Sequence, residues 1–138
     1  MTIQVRYYSK GGNTKKLAQA IAAALGVEAM DLSVPMIEKV DLVFLGSSVY
    51  AYGVDHRVRN FLEDNAIRIG KLVNFSTAAL ISGTYSQIAK LCEQNDIPLA
   101  REEFHCRGSF AMLHKGRPNE QDCAEAAAFA RRMAGMDE

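Results

Sequence analysis

The chain has 138 residues, of which 49% are hydrophobic, and its sixteen basic side chains balance sixteen acidic ones. This length suggests one domain over residues 1–138, and the composition is ordinary for a soluble globular protein. The charges are also well mixed along the chain, which argues against binding to nucleic acid or to an anionic membrane.

The start of the chain and its cysteines indicate a cytoplasmic protein. Residues 1–6 carry charge within their apolar stretch, unlike a signal peptide, and no apolar run approaches the length of a membrane span. Cys92, Cys106 and Cys123 are an odd set without a CxxC pair. We therefore expect reduced thiols, with neither a disulfide framework nor a zinc site.

In the first half of the chain, strand-like and helix-like segments alternate. Ile3–Tyr8 predicts a strand, and leucine and isoleucine recur every four residues over residues 17–25, which predicts a helix that Gly26 is placed to end. Val27–Leu32 predicts a short second strand. The continuous apolar run Leu42–Leu45 is typical of a strand covered on both faces.

The second half continues the alternation to the end of the chain. The sequence predicts a helix around residues 58–62, a strand at Thr77–Ile81, a helix around residues 88–92, a strand at Glu103–Phe110 and a final helix at Asn119–Met133. Five strands and four or five helices, joined by right-handed crossovers, predict a three-layer, doubly wound α/β fold with a parallel sheet.

The first strand fits this fold poorly, because polar and apolar residues alternate along it. Gln4 and Arg6 stand between Ile3, Val5 and Tyr7. This pattern predicts a half-exposed strand, which lies either at an edge of the sheet or under a thin covering layer.

The loop after the first strand is the most informative segment for chemistry. It consists of Ser9, Lys10, Gly11, Gly12, Asn13 and Thr14. A helix N-terminus that follows glycines offers N–H groups, the positive end of the helix dipole and close backbone approach, which suit a phosphate. The segment matches neither GxxxxGK[ST] nor GxGxxG. A simple glycine turn capped by Asn13 or Thr14 is the structural alternative.

This loop resembles the FMN phosphate-binding fingerprint of flavodoxins, a tyrosine-ended strand followed by Ser-x-Thr-Gly-Asn-Thr. Ser9, Gly12, Asn13 and Thr14 match it, whereas Gly11 stands where the family usually has threonine. The chain is similar to the short-chain members of the flavodoxin-like family over essentially its whole length. The resemblance implies a five-stranded parallel sheet in the order 2-1-3-4-5 and non-covalently bound FMN.

Two further loops look like the family's flavin-contacting loops. The residues that the resemblance assigns to them are Ser48, Val49, Tyr50, Ala51, Tyr52, Gly53, Ser82, Gly83, Thr84 and Tyr85. Together with the phosphate loop they follow the first, third and fourth strands, so all three should lie at one edge of the sheet. Tyr50, Tyr52 and Tyr85 are available to stack on the flavin ring.

The resemblance implies a redox carrier that exchanges electrons with a reductase or acceptor protein. The open alternatives are an FMN-dependent reductase acting on a quinone or activating ribonucleotide reductase, and a flavin-free binding module on the same fold. We find no nicotinamide site, which favours the carrier. His56, His105 and His114 lack metal-ligand spacing, so we interpret them as surface or strand residues.

Overall fold

The computed structural model describes residues 1–49, 53–78, 83–108 and 116–136. The strands are β1 (Ile3–Tyr7), β2 (Ala29–Asp31), β3 (Leu42–Val49), β4 (Leu72–Ala78) and β5 (Phe104–Arg107). The helices are α1 (Asn13–Leu25), α2 (His56–Asn65), α3 (Tyr85–Gln94) and α4 (Glu120–Met133), with a 3₁₀ turn at Ala66–Arg68.

The five strands form one parallel sheet in the order β2-β1-β3-β4-β5. This confirms the predicted three-layer, doubly wound fold and its strand order. One apolar cluster joins the sheet to α1 and α4, with Leu17 and Phe129 among its members. The other joins the opposite face to α2 and α3, through residues such as Leu62 and Ile88.

The strand β1 lies inside the sheet, between β2 and β3, although its sequence alternates. The edge position is therefore wrong, and so is the predicted half-exposure, because Val5, Arg6 and Tyr7 are buried. The side chain of Arg6 is buried, and its guanidinium donates hydrogen bonds to the backbone carbonyls of Asp31, Val34 and Pro35. The loop after β2 thus covers this face, and burial lowers the pKa of Arg6.

The bounds of two strands differ from the sequence prediction. The strand predicted at Thr77–Ile81 begins at Leu72, because buried Asn74 and Ser76 break the apolar pattern that marks a strand. The side chains of both residues form hydrogen bonds with Thr84 inside the protein. Two buried polar residues are therefore compatible with a strand in the middle of the sheet. The last strand is Phe104–Arg107, and the predicted end of Glu103–Phe110 lies outside the described residues.

The N-terminus of α4 is fixed by an ion pair and a capping box. Arg117 donates from Nε and Nη2 to the two carboxylate oxygens of Asp122, at 2.7 and 2.8 Å. The side chain of Asn119 accepts from the Asp122 N–H, and the Asp122 carboxylate accepts from the Asn119 N–H, both at 2.9 Å. The hydrogen bond from Arg117 is the largest of the effects that lower the pKa of Asp122.

Asp122→Asn is expected to lose stability at neutral pH but not in acid. Because the pKa of Asp122 is lowered in the folded state, its stabilisation is complete above the ordinary carboxyl pKa of about 3.9 and is lost as pH falls through the folded value. Urea unfolding of wild type and variant should therefore differ at pH 7 and converge in acid. Glu120→Gln, an exposed acid in the same helical turn, is the control. An unchanged gap in acid would contradict this assignment.

In the part of the chain that the structure describes, no helix has both the length and the apolar character needed to cross a membrane.

Candidate functional site

The loops that follow β1, β3 and β4 leave the same edge of the sheet. These strands are neighbours and parallel, and the register pairs Tyr7 with Gly46 and Val49 with Ala78. The carboxyl ends of the strands therefore meet at one edge, next to the point where the winding of the sheet reverses. Ligands of open α/β sheets bind at this position.

The loop from Ser9 to Thr14 forms a turn into α1. The Gly12 N–H donates to Ser9 Oγ at 3.0 Å, and Gly12 has a left-handed backbone with φ of 94°. The first helical hydrogen bond runs from Lys16 N to Gly12 O, so the N–H groups of Thr14 and Lys15 have no acceptor within the helix. Among the described residues, and apart from Gly12 and its two neighbours, no atom lies within 4 Å of a Cβ placed on Gly12, so this side of the turn has room for a ligand.

Side chains pack tightly beneath this turn. Thr14 is fully buried, and its hydroxyl lies 3.0 Å from the Thr77 hydroxyl. A Cβ on Gly108 would lie 2.8 Å from Asn13 Nδ2 and 3.1 Å from Thr77 Cβ, so the backbone after β5 comes close to the turn. The Thr14 hydroxyl is therefore paired with Thr77 inside the protein. The group that Thr14 offers to a ligand at the helix N-terminus is its backbone N–H.

Basic side chains surround the turn. Lys10 and Lys15 are exposed, and Lys16 Nζ donates to the Pro118 carbonyl. These cations and the dipole of α1 make the electrostatic potential at the turn positive, which favours an anion.

Comparison with known proteins agrees with this arrangement. The model of the family described as "Flavodoxin domain" matches residues 4–94, about two thirds of the chain. The chain belongs to the flavodoxin domain family. An uncharacterised protein of Methanocaldococcus jannaschii is 30% identical to it, over 86% of this chain and 88% of that protein.

Solved flavodoxins share the fold at low sequence identity. A flavodoxin from the domain Archaea superimposes with a TM-score of 0.80 at 16% identity, over 98% of this chain and 97% of its own. Flavodoxin 1 of Bacillus cereus gives 0.73 at 17% identity, over the whole of both chains. A Lactobacillus acidophilus flavoprotein solved in complex with FMN gives 0.60 at 16% identity, over 77% of this chain and 92% of its own.

The loop after β3 is described in part. Ser48 is buried in the strand, and the predicted ring contacts Tyr50, Ala51 and Tyr52 lie outside the described residues. Gly53 has a left-handed φ of 105°, and the next N–H, that of Val54, donates to Gln87 Oε1 at 2.8 Å. In this flavodoxin-family protein, α3 therefore anchors the end of the loop, a contact that the sequence analysis missed.

The loop after β4 turns two of its predicted site residues inward. Thr84 is fully buried, and its hydroxyl bonds Ser47 and Asn74 at 3.2 and 3.1 Å. The Tyr85 hydroxyl donates to the Ala100 carbonyl at 2.9 Å. Ala100 N in turn bonds Leu72 O, so this contact points toward the amino end of β4. Ser82 lies outside the described residues, and Gly83 immediately precedes Thr84.

The sequence did not reveal two polar pairs that the structure shows. Arg57 Nη1 donates to Tyr8 Oη at 2.7 Å, and its guanidinium carbon lies 5.0 Å from the centre of that ring. This links the start of α2 to the start of the phosphate loop. Nδ1 of His105, on β5, lies 2.6 Å from Oε2 of Glu103, the residue just before β5. Their i, i+2 spacing on a predicted strand was the available signal, because it places both side chains on one face.

Tyr8, the residue before the phosphate loop, lines a cavity of about 460 Å³. Its walls come from Tyr8, the segment after β2 and α2, including Pro35, Arg57 and Phe61. Residues 9–14 are not part of its lining, so this cavity is separate from the helix N-terminus.

The cysteine thiols are poor nucleophiles at neutral pH. All three are free, and burial raises the pKa of Cys92 to about 11 and that of Cys106 to about 12. Burial also raises the pKa of Cys123. A raised pKa keeps a thiol protonated at neutral pH, which lowers its reactivity.

Proposed function

We propose that this chain binds FMN non-covalently and carries electrons between partner proteins, with residues 1–138 acting as a single domain. The observation that carries the proposal is the open, left-handed turn at Gly12. It stands at the N-terminus of α1, on the edge of the sheet where the loops after β3 and β4 also begin. Family membership and the FMN complex of the Lactobacillus flavoprotein support the choice of ligand.

The residues of the first loop would hold the phosphate. The N–H groups of Thr14 and Lys15 donate to its oxygens, and Lys10 and Lys15 offset part of its charge. Ser9 holds the turn by accepting from Gly12. Asn13 and Gly11 complete the loop. The missing threonine at Gly11 removes one hydroxyl, while the backbone donors stay in place.

Residues 48–53 and 82–85 would bracket the flavin ring. The bound flavin supplies the electron-accepting chemistry, and the protein positions it and sets its surroundings. Because the Tyr85 hydroxyl is held by Ala100, we assign ring stacking first to Tyr50 and Tyr52. The buried Thr84 would not touch the ring. Its hydroxyl would support the site indirectly, because it bonds Ser47 on β3 and Asn74 on β4.

A carrier and an enzyme differ in one measurable property. We expect the FMN-loaded protein to accept electrons from a separate reductase and to pass them on, with no steady NAD(P)H oxidation of its own. Steady NAD(P)H oxidation in the presence of a quinone, without added reductase, would instead establish the FMN-dependent reductase. A protein that leaves the visible spectrum of added FMN unchanged would be the flavin-free module.

A further inference from the structure

Thr14, the second residue of α1, lies over the sheet and contacts two neighbouring strands. Its methyl carbon Cγ2 faces Gly46 on β3, where an added Cβ would lie only 2.8 Å away. Its hydroxyl lies 3.0 Å from the hydroxyl of Thr77 on β4, and both threonines are buried. The first turn of α1 is therefore held to β3 by packing and to β4 by a hydrogen bond.

Thr77 is a polar residue at the end of an apolar row. Side chains alternate between the two faces of a strand, and Val73 and Phe75 precede Thr77 on the face of β4 that packs against α1 and α4. Valine has the shape of threonine and would fill this place with no polar group to satisfy. A buried hydroxyl is costly unless it is hydrogen-bonded, and Thr14 supplies that bond. What the threonine adds here is therefore the bond to α1.

The surrounding packing keeps this pair of hydroxyls together. A Cβ on Gly108 would lie 3.1 Å from the Cβ of Thr77, so the backbone after β5 packs directly against Thr77. The methyl and hydroxyl groups of Thr14 rotate together about χ1, so turning the hydroxyl toward a ligand would also move the methyl group away from Gly46. The Thr14 hydroxyl therefore sets the position of α1 and does not itself face a ligand.

We propose that Thr77 is a positioning residue for the phosphate, an inference that rests on the proposed function. Its bond to the Thr14 hydroxyl holds the first turn of α1 against β4. The N–H groups of Thr14 and Lys15 then already point toward the phosphate before it binds, so no binding energy is used to order the helix end. Thr77 lies within the sheet and acts on the phosphate only through Thr14.

The affinities for FMN and for riboflavin test this role, because only FMN carries the phosphate. Thr77→Val removes the hydroxyl and keeps the shape of the side chain. We expect this variant to bind FMN about fivefold more weakly, which is the effect of one hydrogen bond, and to bind riboflavin as the wild type does. A variant with the wild-type ratio of the two affinities would overturn the proposal.

Thr77→Ser is the matched control, because it keeps the hydroxyl and removes a buried methyl group. Loss of the methyl group should lower the urea concentration at which the protein unfolds, whereas FMN affinity should stay at the wild-type value. If the serine and valine variants lose the same FMN affinity, packing and not the hydrogen bond sets the position of α1, and the inference is wrong.

Thr14→Val removes the other half of the same bond, and it also decides the matter if Thr77→Val does not fold. Alone it should weaken FMN binding by about the same fivefold, and the double variant should bind FMN no more weakly than either single variant. A much larger loss in Thr14→Val would mean that its hydroxyl binds the phosphate directly. Losses that multiply in the double variant would mean that the two hydroxyls act independently. Either result would contradict the role of Thr77.

The wild-type protein separates the two possible failures. If it binds FMN no more tightly than riboflavin, the phosphate loop of the proposed function fails, and this inference fails with it. If it prefers FMN and Thr77→Val keeps the same preference, only this inference fails.

Discussion

Gly46→Ala is expected to lower the free energy of unfolding by about 3 kcal/mol, because the position has no room for a methyl group. A Cβ at Gly46 in β3 would overlap two ring carbons of Phe75 and would lie 2.8 Å from Thr14 Cγ2. The three residues meet where β3 and β4 pack against the N-terminus of α1. Overpacking here would push the phosphate loop away from the sheet.

A double-mutant cycle in urea checks this result. Phe75→Leu alone removes buried ring atoms and should also destabilise, but in the Gly46→Ala background it makes room for the new methyl group. We therefore expect the double variant to lose clearly less stability than the sum of the two single losses. If the stability loss of the double variant equals the sum of the two single losses, the Phe75 ring is not what excludes a side chain at Gly46.

Gly12→Ala is expected to weaken FMN binding by about five- to thirtyfold. The left-handed φ of 94° costs a residue with a Cβ about 1–2 kcal/mol, and relief of this strain would turn N–H groups away from the phosphate. Steric overlap is not the reason, because no atom of the described residues beyond the two chain neighbours lies within 4 Å of the added carbon.

The other end of the same helix supplies the control for Gly12→Ala. Gly26 also has a left-handed φ, of 73°, and open space around its Cβ position, but it caps the C-terminus of α1. Gly26→Ala should reduce the stability of the protein by a similar amount and leave FMN affinity unchanged. Equal loss of affinity in both variants would mean that the effect comes from helix stability and not from the turn.

The fold was predictable because its signals are local. Apolar runs such as Leu42–Leu45 and helical spacing over residues 17–25 are set by burial on one or two faces. The position of β1 was not predictable, because its polar Arg6 is satisfied by carbonyls about thirty residues away. The early start of β4 was missed for the same reason, since Asn74 finds its partner only when α3 is in place.

The edge of the sheet where the three loops begin was predictable, but the side-chain contacts beneath it were not. Three neighbouring parallel strands place their last residues, Tyr7, Val49 and Ala78, at one edge of the sheet. Spacing alone does not show that Thr14 and Thr84 turn inward to Thr77 and Asn74, because these contacts depend on tertiary packing. The backbone of Gly108 joins the phosphate loop through the same kind of long-range packing.

The most direct test of the account compares FMN with riboflavin, which has the same ring system and lacks the phosphate. Each hydrogen bond to the charged phosphate contributes about 1.5–3 kcal/mol, so two such bonds from the N-terminus of α1 predict binding at least about a hundredfold tighter for FMN. Equilibrium titration of the purified protein, followed by flavin absorbance and fluorescence, measures both affinities. Equal affinities, or no binding of FMN, would contradict the phosphate loop and with it the proposed flavin carrier.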